Sequence, residues 1–377
     1  MAEIQQPITI ENARGTLKVI FSEATTPVER VRSAKLASTA FGKSLTPEGY
    51  LEREEYLASQ PLARGTGWRW WCLTLADNPE QVLAMCKTMH RDLLVRNDSA
   101  TRGEAVARQE QGYCICSVVT DSTYRGRGLA SVLLKGVAEW LDGPGNATAS
   151  ILYSDVGDFY VSKGWDILDS FESILTVPLS VPRPGQVQFP ETRPLTTDDI
   201  PHLCERDVES LEDDFQKYDF PKDSVLVTIL PTTNMITWLQ ARIAYTNNQL
   251  NGKTPEVKGS ICKSADSWVY WYSDLHHRKI TIQRVKPPRG QDEATSTRAI
   301  ARLLLDAIEE AAKWELPEVD IWNPSPELHS AMKLLNSELG IKVTNQKRES
   351  EHIPCLRWRG GEKRSIIVSP NEFYPWS

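Results

Sequence analysis

The stretch YCICSVVTDSTYRGRGLA, Tyr113 to Ala130, constrains the fold more than any other part of the chain. Cys114, Cys116 and Val118 alternate with Ile115, Ser117 and Val119, the period-two pattern of a mostly buried strand. The polar run Asp121-Ser122-Thr123 ends that strand and Arg125-Gly126-Arg127-Gly128 follows. Leu129, Val132, Leu133, Val137, Trp140 and Leu141 then recur at helical spacing and give one apolar face. A strand, a glycine-rich basic loop and a helix start therefore come in immediate succession. Glycines let the backbone approach a ligand closely, the first helical turn leaves its amides without partners, and the helix dipole favours an anion there. A pyrophosphate fits such a loop.

Arg125-Gly126-Arg127-Gly128-Leu129-Ala130 resembles the R/Q-x-x-G-x-G/A signature of the Gcn5-related N-acetyltransferases, whose loop grips the pyrophosphate of acetyl-CoA. Taken alone, the same residues read as a basic turn between a core strand and a surface helix. A second stretch, ILYSDVGDFYVSKGW from Ile151 to Trp165, resembles the next motif of that superfamily, a strand and a short helix ending in tyrosine-x-x-x-glycine-aromatic. With Trp271-Tyr272-Ser273-Asp274-Leu275, these stretches resemble the fungal lysine N-acetyltransferase family. The likeness covers most of the chain and is strongest between Trp68 and Trp165.

The resemblance implies transfer of acetyl from acetyl-CoA to the side-chain amine of free lysine or a related amine, by direct attack in a ternary complex. It places Arg125, Gly126, Arg127, Gly128, Leu129 and Ala130 around the pyrophosphate. It sets the backbone of Val118 and Val119 along the pantetheine arm, where it polarises the thioester. Tyr160, four residues before Gly164, is then the general acid for the departing thiolate, and its alternative reading is a packed aromatic beside Phe159. Two other function classes stand beside this one: an acetyltransferase for a foreign amine or a peptide, and a non-catalytic acetyl-CoA-binding scaffold. The intact loop and Tyr160 weigh against the scaffold.

The general base does not stand out. Asp121, Asp155 and Asp158 sit at turns, and Glu54 and Glu55 lie on an expected helix where acids are commonly solvated. Asp155 and the carboxylate of Ser377 are the candidates for acceptor contact, the second if the aromatic tail Glu372-Phe373-Tyr374-Pro375-Trp376-Ser377 tucks inward.

Forty-three basic against fifty acidic side chains leave a formal charge of -7, with no general footprint for nucleic acid or an anionic membrane. No apolar run approaches membrane-spanning length and the first residues lack a secretory pattern, so a cytosolic location is expected. The seven cysteines are scattered without C-x-x-C spacing, and His276-His277 reads as a solvated turn, so no metal site is expected.

A chain of 377 residues calls for two domains. Prolines at 178, 182, 184, 190 and 194 mark the boundary, giving a first domain over 1–177, a linker over 178–194 and a second domain over 195–377. The polar run from Arg96 to Gln111 reads as a loop insertion. Beyond the linker, strands near Ser260, Trp268 and Lys279, a helix from Thr295 to Trp314, a strand at Val319 and a helix from Ser325 repeat the plan of the first half. The expected fold is α/β of the α+β kind: an acetyltransferase domain with a mixed, mostly antiparallel sheet, then a degenerate acetyltransferase-like lobe that walls the acceptor pocket. Pro287 to Glu293 lacks the second glycine and carries acids, so no cofactor is expected there.

Overall fold

The computed structural model describes residues 6–97, 107–182, 185 and 187–376. The chain opens with a hairpin, β1 (Ile8–Asn12) and β2 (Gly15–Glu23). Helices α1 (Pro27–Phe41) and α2 (Pro47–Ala58) each start on a threonine followed by proline. Thr26 and Glu29 cap each other's backbone amides, and Thr46 accepts from the Gly49 amide, so local chemistry fixes both starts. An antiparallel meander follows: β3 (Trp68–Leu75), β4 (Val82–Asn97) and β5 (Arg108–Thr120). The strands thus reach into the expected 96–111 loop, of which residues 98–106 lie outside the described residues. Helix α3 (Leu129–Asp142) returns the chain to β6 (Ala149–Ser154), parallel to β5. Where a short helix was expected before Gly164, there is a single turn of 3-10 helix, Val161–Lys163. Short strands β7 (Asp166–Ile167) and β8 (Phe171–Thr176) precede the proline-rich run.

Beyond that run come β9 (Arg193–Leu195), α4 (Ile200–Lys217), β10 (Ser224–Ile229) and α5 (Thr233–Asn251). A second meander, β11 (Gly259–Cys262), β12 (Ser267–Asp274) and β13 (Lys279–Lys286), leads into α6 (Glu293–Lys313) and β14 (Glu318–Trp322). Strand β14 lies parallel to β13, as β6 does to β5. Helix α7 (Pro326–Leu339) and strands β15 (Val343–Lys347), β16 (Ile353–Trp358) and β17 (Ser365–Val368) complete the chain. The plan of meander, long helix and parallel strand is therefore built twice.

The two sheets trade strands. In the first, the order is β1-β2-β3-β4-β5-β6-β16-β7, so β16 from the second half sits between β6 and β7. Strands β10 and β17 extend the same sheet along the part of β4 that β3 leaves uncovered. In the second, the order is β15-β8-β14-β13-β12-β11-β9, with β8 from the first half between β14 and β15. Arg357 on β16 grips Asp142 at the end of α3 with two bonds of 2.7 and 2.6 Å.

Burial follows the periodicity. Leu133, Leu134 and Val137 of α3 cover Ile115 and Leu152, while Leu304 and Ile308 of α6 cover Val269 and Ile282. Between the halves, Cys114 and Ile151 meet Trp268, Tyr270 and Leu203 in one continuous apolar cluster. Arg284 binds Asp207 of α4 at 3.0 and 2.9 Å and Glu372 of the tail at 2.8 Å, tying three distant segments together. Among the described residues, no helix is long and apolar enough to cross a membrane.

Candidate active site

Gly126 and Gly128 adopt φ of +75° and +83°, backbone that a side chain would strain. Gly128 is the N-cap of α3 and no side chain caps it. The first helical amide to bond within the backbone is that of Val132, to the Gly128 carbonyl, so the amides of Leu129, Ala130 and Ser131 point out of the helix end. A Cβ placed on Gly128 would meet no protein atom within 4 Å, so the space in front of these amides is open. The residues present thus fit a bound pyrophosphate. Leu129 is buried among Leu133 and Ile115, and only its amide is available to a ligand; Ala130 follows in the same turn. Arg125 is exposed, and Arg127 lies with its guanidinium 5.7 Å from the Tyr124 ring centroid.

Two residues that sequence reasoning missed hold this loop in shape. From the β1–β2 hairpin, Arg14 Nη1 donates to the Arg125 carbonyl at 2.5 Å and Asn12 Nδ2 donates to the Arg127 carbonyl at 3.1 Å. They engage carbonyls and leave the amides unengaged. Nothing in the local sequence of a hairpin turn signals a partner more than a hundred residues away.

The equivalent end of α6 is closed. Asp292 accepts from the Thr295 amide at 2.9 Å and from its hydroxyl at 2.7 Å, so a carboxylate already sits where an anion would dock. A hollow of about 1330 Å3 lies over that end, lined by Asp292, Thr295 and Arg298.

Strand β5 carries a bulge one step before the loop. Met85 faces Val119 and Lys87 faces Cys116, so Ser117 and Val118 together oppose Cys86, and Ser117 takes φ of 55°. The ladder with β6 ends at Ile115 opposite Leu152. Beyond it the two parallel strands part, and the β5 edge from Cys116 onward faces a cavity of about 1380 Å3. Val118 lines this cavity, whereas Val119 is buried against Met85 and Met89.

Both halves of the chain wall the cavity. From the first come Tyr50, Arg53 and Glu54 of α2, Lys87 of β4, Tyr153 of β6, Asp155 and Tyr160. From the second come Trp238 and Arg242 of α5, Tyr272, Asp274 and Lys279, Asp320 and Trp322 of β14, Arg348, His352 and Trp376. Tyr160 is 8% exposed and its ring meets Phe159 edge-on at 5.1 Å. Burial, reinforced by Cys86 and Asp155, pushes its phenol well above the usual range, so it holds its proton.

Glu54 departs from expectation. It is not solvated but buried, ion-paired with Lys87 and with Arg53 at 3.2 Å. Burial alone would raise its pKa; Lys87 and then Arg53 outweigh that and keep the carboxylate ionised below its usual value. Lys87 in turn lies 4.1 Å from the Trp70 ring centroid and 4.6 Å from that of Trp68. Glu55, one residue on, is exposed as expected. Asp121 only caps the loop, accepting from the Thr123 amide and hydroxyl, and Asp158 is exposed. Asp155 stands at the cavity rim, accepting from the His352 amide at 2.8 Å. His276 and His277 are exposed in a turn, as expected; His277 Nδ1 meets Asp274 at 2.8 Å, and both histidines line the cavity.

The tail does turn inward. Phe373 and Tyr374 are buried, the Tyr374 hydroxyl donates to the Ile229 carbonyl at 2.5 Å, and Arg91 Nη2 donates to the Pro375 carbonyl at 2.9 Å. Trp376 reaches the cavity, with Arg242 stacked over its ring at 4.6 Å; Ser377 lies outside the described residues.

A curated lysine acetyltransferase of Yarrowia lipolytica is 24% identical over 310 residues, covering 72% of this chain and 76% of that protein. Among solved structures, a probable N-acyltransferase from Enterococcus faecalis V583 superposes with a TM-score of 0.56 at 14% identity, over 90% of this chain and 72% of the other. A GCN5-related N-acetyltransferase from Kribbella flavida gives 0.52 at 14%, over 90% and 71%. These structures share the fold. Residues 39–158 match the Acetyltransferase (GNAT) family. The LYC1 GNAT-like C-terminal domain matches residues 176–377, more than half of the chain, and so the protein belongs to the LYC1-like GNAT family and is an N-acetyltransferase.

Proposed function

We propose that the protein transfers acetyl from acetyl-CoA to the side-chain amine of a free amino acid, lysine by its likeness to the Yarrowia relative. The observation that carries this reading is the mixed charge of one cavity: the open β5 edge and Tyr160 share it with buried carboxylates, Glu54 and Asp320, and with the guanidiniums of Arg242 and Arg348. A molecule bearing an amine and a carboxylate suits such walls, and a plain polyamine or an apolar amine suits them less.

In this reading, the α3 amides and Arg127 hold the pyrophosphate, and the freed edge at Val118 aligns the pantetheine arm and polarises the thioester carbonyl. An alkylammonium of pKa about 10.4 gives up its proton at neutral pH at a cost of roughly 4 to 5 kcal/mol. Glu54 is already answered by Lys87 and Arg53, so the ammonium sheds its proton to solvent by way of the rim at Asp155 and His352. The amine lone pair then forms the C–N bond as the C–S bond breaks, Tyr160 gives its proton to the thiolate, and the second proton shed by the nitrogen restores the Tyr160 phenol through solvent.

The test is coenzyme A release measured against free amino acids, polyamines and short peptides, with the acetylated nitrogen located by NMR. Lysine should lead and carry acetyl on its side-chain nitrogen. A preference for peptides, or no response to lysine, overturns the reading.

A further inference from the structure

Among the described residues, the cavity wall holds guanidiniums with buried nitrogens that no hydrogen bond answers, among them Arg242 through Nη1 and Arg348 through its whole fork. Arg348 is 7% exposed, yet Nε, Nη1 and Nη2 all lack a hydrogen-bond partner among the described residues. Most buried guanidiniums are paired, because five donors taken out of water are costly to leave idle. Its position is not accidental. The guanidinium carbon sits 3.5 Å from the Trp322 ring centroid, which orients the plane. The Arg348 amide donates to the Ser170 carbonyl at 2.7 Å, and the Ser170 hydroxyl donates back to the Arg348 carbonyl at 2.9 Å. A flat cation stacked on one face keeps its donor edge free for a bidentate carboxylate.

Complementary groups lie around it. The Tyr153 hydroxyl and Asp320 Oδ1 are also buried without partners, and the other oxygen of Asp320 is held by Lys279. Arg348 senses the charges of Glu172 and Asp320 and the Tyr153 hydroxyl as electrostatic neighbours. Lys87, Cys116 and Tyr153 form a row across β4, β5 and β6 on one face of the sheet, since Lys87 faces Cys116 and the ladder between β5 and β6 ends one residue earlier. Paired strands stand about 4.8 Å apart, so Lys87 and Cys116 keep that spacing, while Cys116 and Tyr153 lie on either side of the gap where β5 and β6 part. Arg348, an electrostatic neighbour of Tyr153, thus stands on the β6 side of that gap and lines the same cavity as Val118 and Tyr160.

We propose that Arg348, laid flat on Trp322, receives the carboxylate of the acceptor, while the free oxygen of Asp320 receives its α-ammonium, so that the site selects amino acids over amines lacking a carboxylate. This inference rests on the amino-acid reading above.

The test pairs lysine with 1,5-diaminopentane, the same amine without the carboxylate, in the full-length wild-type protein, Arg348→Gln and Arg348→Lys. The loss of a charged hydrogen bond predicts that kcat/KM for lysine falls about 10- to 100-fold in Arg348→Gln, mainly through KM. Values for 1,5-diaminopentane and the affinity for acetyl-CoA should stay within about threefold, and Arg348→Lys should recover part of the loss. A wild-type protein indifferent to the carboxylate sinks both this inference and the amino-acid reading. A wild-type preference for lysine with equal losses on both substrates in the variants sinks the anchor alone. If Arg348→Gln does not fold, Arg348→Lys is read by the same criterion.

Discussion

The guanidinium of Arg14 donates to the carbonyl of Arg125 at 2.5 Å, fastening the tip of the first hairpin to the loop that opens α3. The loop's shape is therefore borrowed from the start of the chain. Arg14→Ala should weaken acetyl-CoA binding severalfold in calorimetry with little change in melting temperature. Gly128→Val should do more, because at φ of +83° a side chain costs about 1 kcal/mol and also projects into the open space before the amides. Unchanged affinity in both variants would remove the cradle.

Tyr160 is expected to act as an acid, so Tyr160→Phe should lower kcat by about 100-fold or more and leave acetyl-CoA affinity intact. Burial holds the phenol protonated beyond the ordinary tyrosine range. Any alkaline loss that reports this group must then appear above about pH 10 and not at it. A pH profile of kcat in wild type and variant checks both points.

Glu54 and Lys87 are a buried pair, and removing one charge strands the other. Glu54→Gln or Lys87→Met alone should each cost about 3 to 5 kcal/mol in urea denaturation, and the double variant less than their sum. Because the folded carboxyl of Glu54 titrates below its ordinary value of 4.5, its contribution is present above about that pH and is lost as pH falls through the lower folded value. The wild type should therefore lose its margin over the double variant on acidification, with neither activity nor acceptor binding regained by the double variant at pH 7.

Trp376 lines the cavity under Arg242. Trp376→Ala should raise the KM for the acceptor about tenfold or more while the KM for acetyl-CoA holds, since a truncated aromatic leaves a void worth a few kcal/mol of packing. Steady-state kinetics with each substrate varied in turn separates the two.

Local chemistry was readable in the sequence, and long-range pairing was not. The strand, glycine loop and α3 follow from the residues that form them, as do the threonine-proline helix starts at Thr26 and Thr46. Strand β16 escaped because Ile353-Pro354-Cys355 carries a proline, which argues against an interior strand, yet Pro354 sits opposite Tyr153 with β7 on its other side. Glu54, Lys87 and Arg348 escaped for a different reason. Charged residues are ordinarily solvated, and only the folded cavity shows which of them are buried. Arg14 and Asn12 are invisible locally because their partners are carbonyls of a loop more than a hundred residues on.

The insertion of β16 between β6 and β7 also sets a timetable for synthesis. A ribosome that has finished the pyrophosphate loop must still deliver Trp358 before the sheet beneath it can close, so the catalytic half waits, with a row of backbone groups exposed, for most of the second half to emerge. Chains stalled or clipped near the prolines should accordingly be cleared by chaperones and proteases, never accumulating as a working half-enzyme.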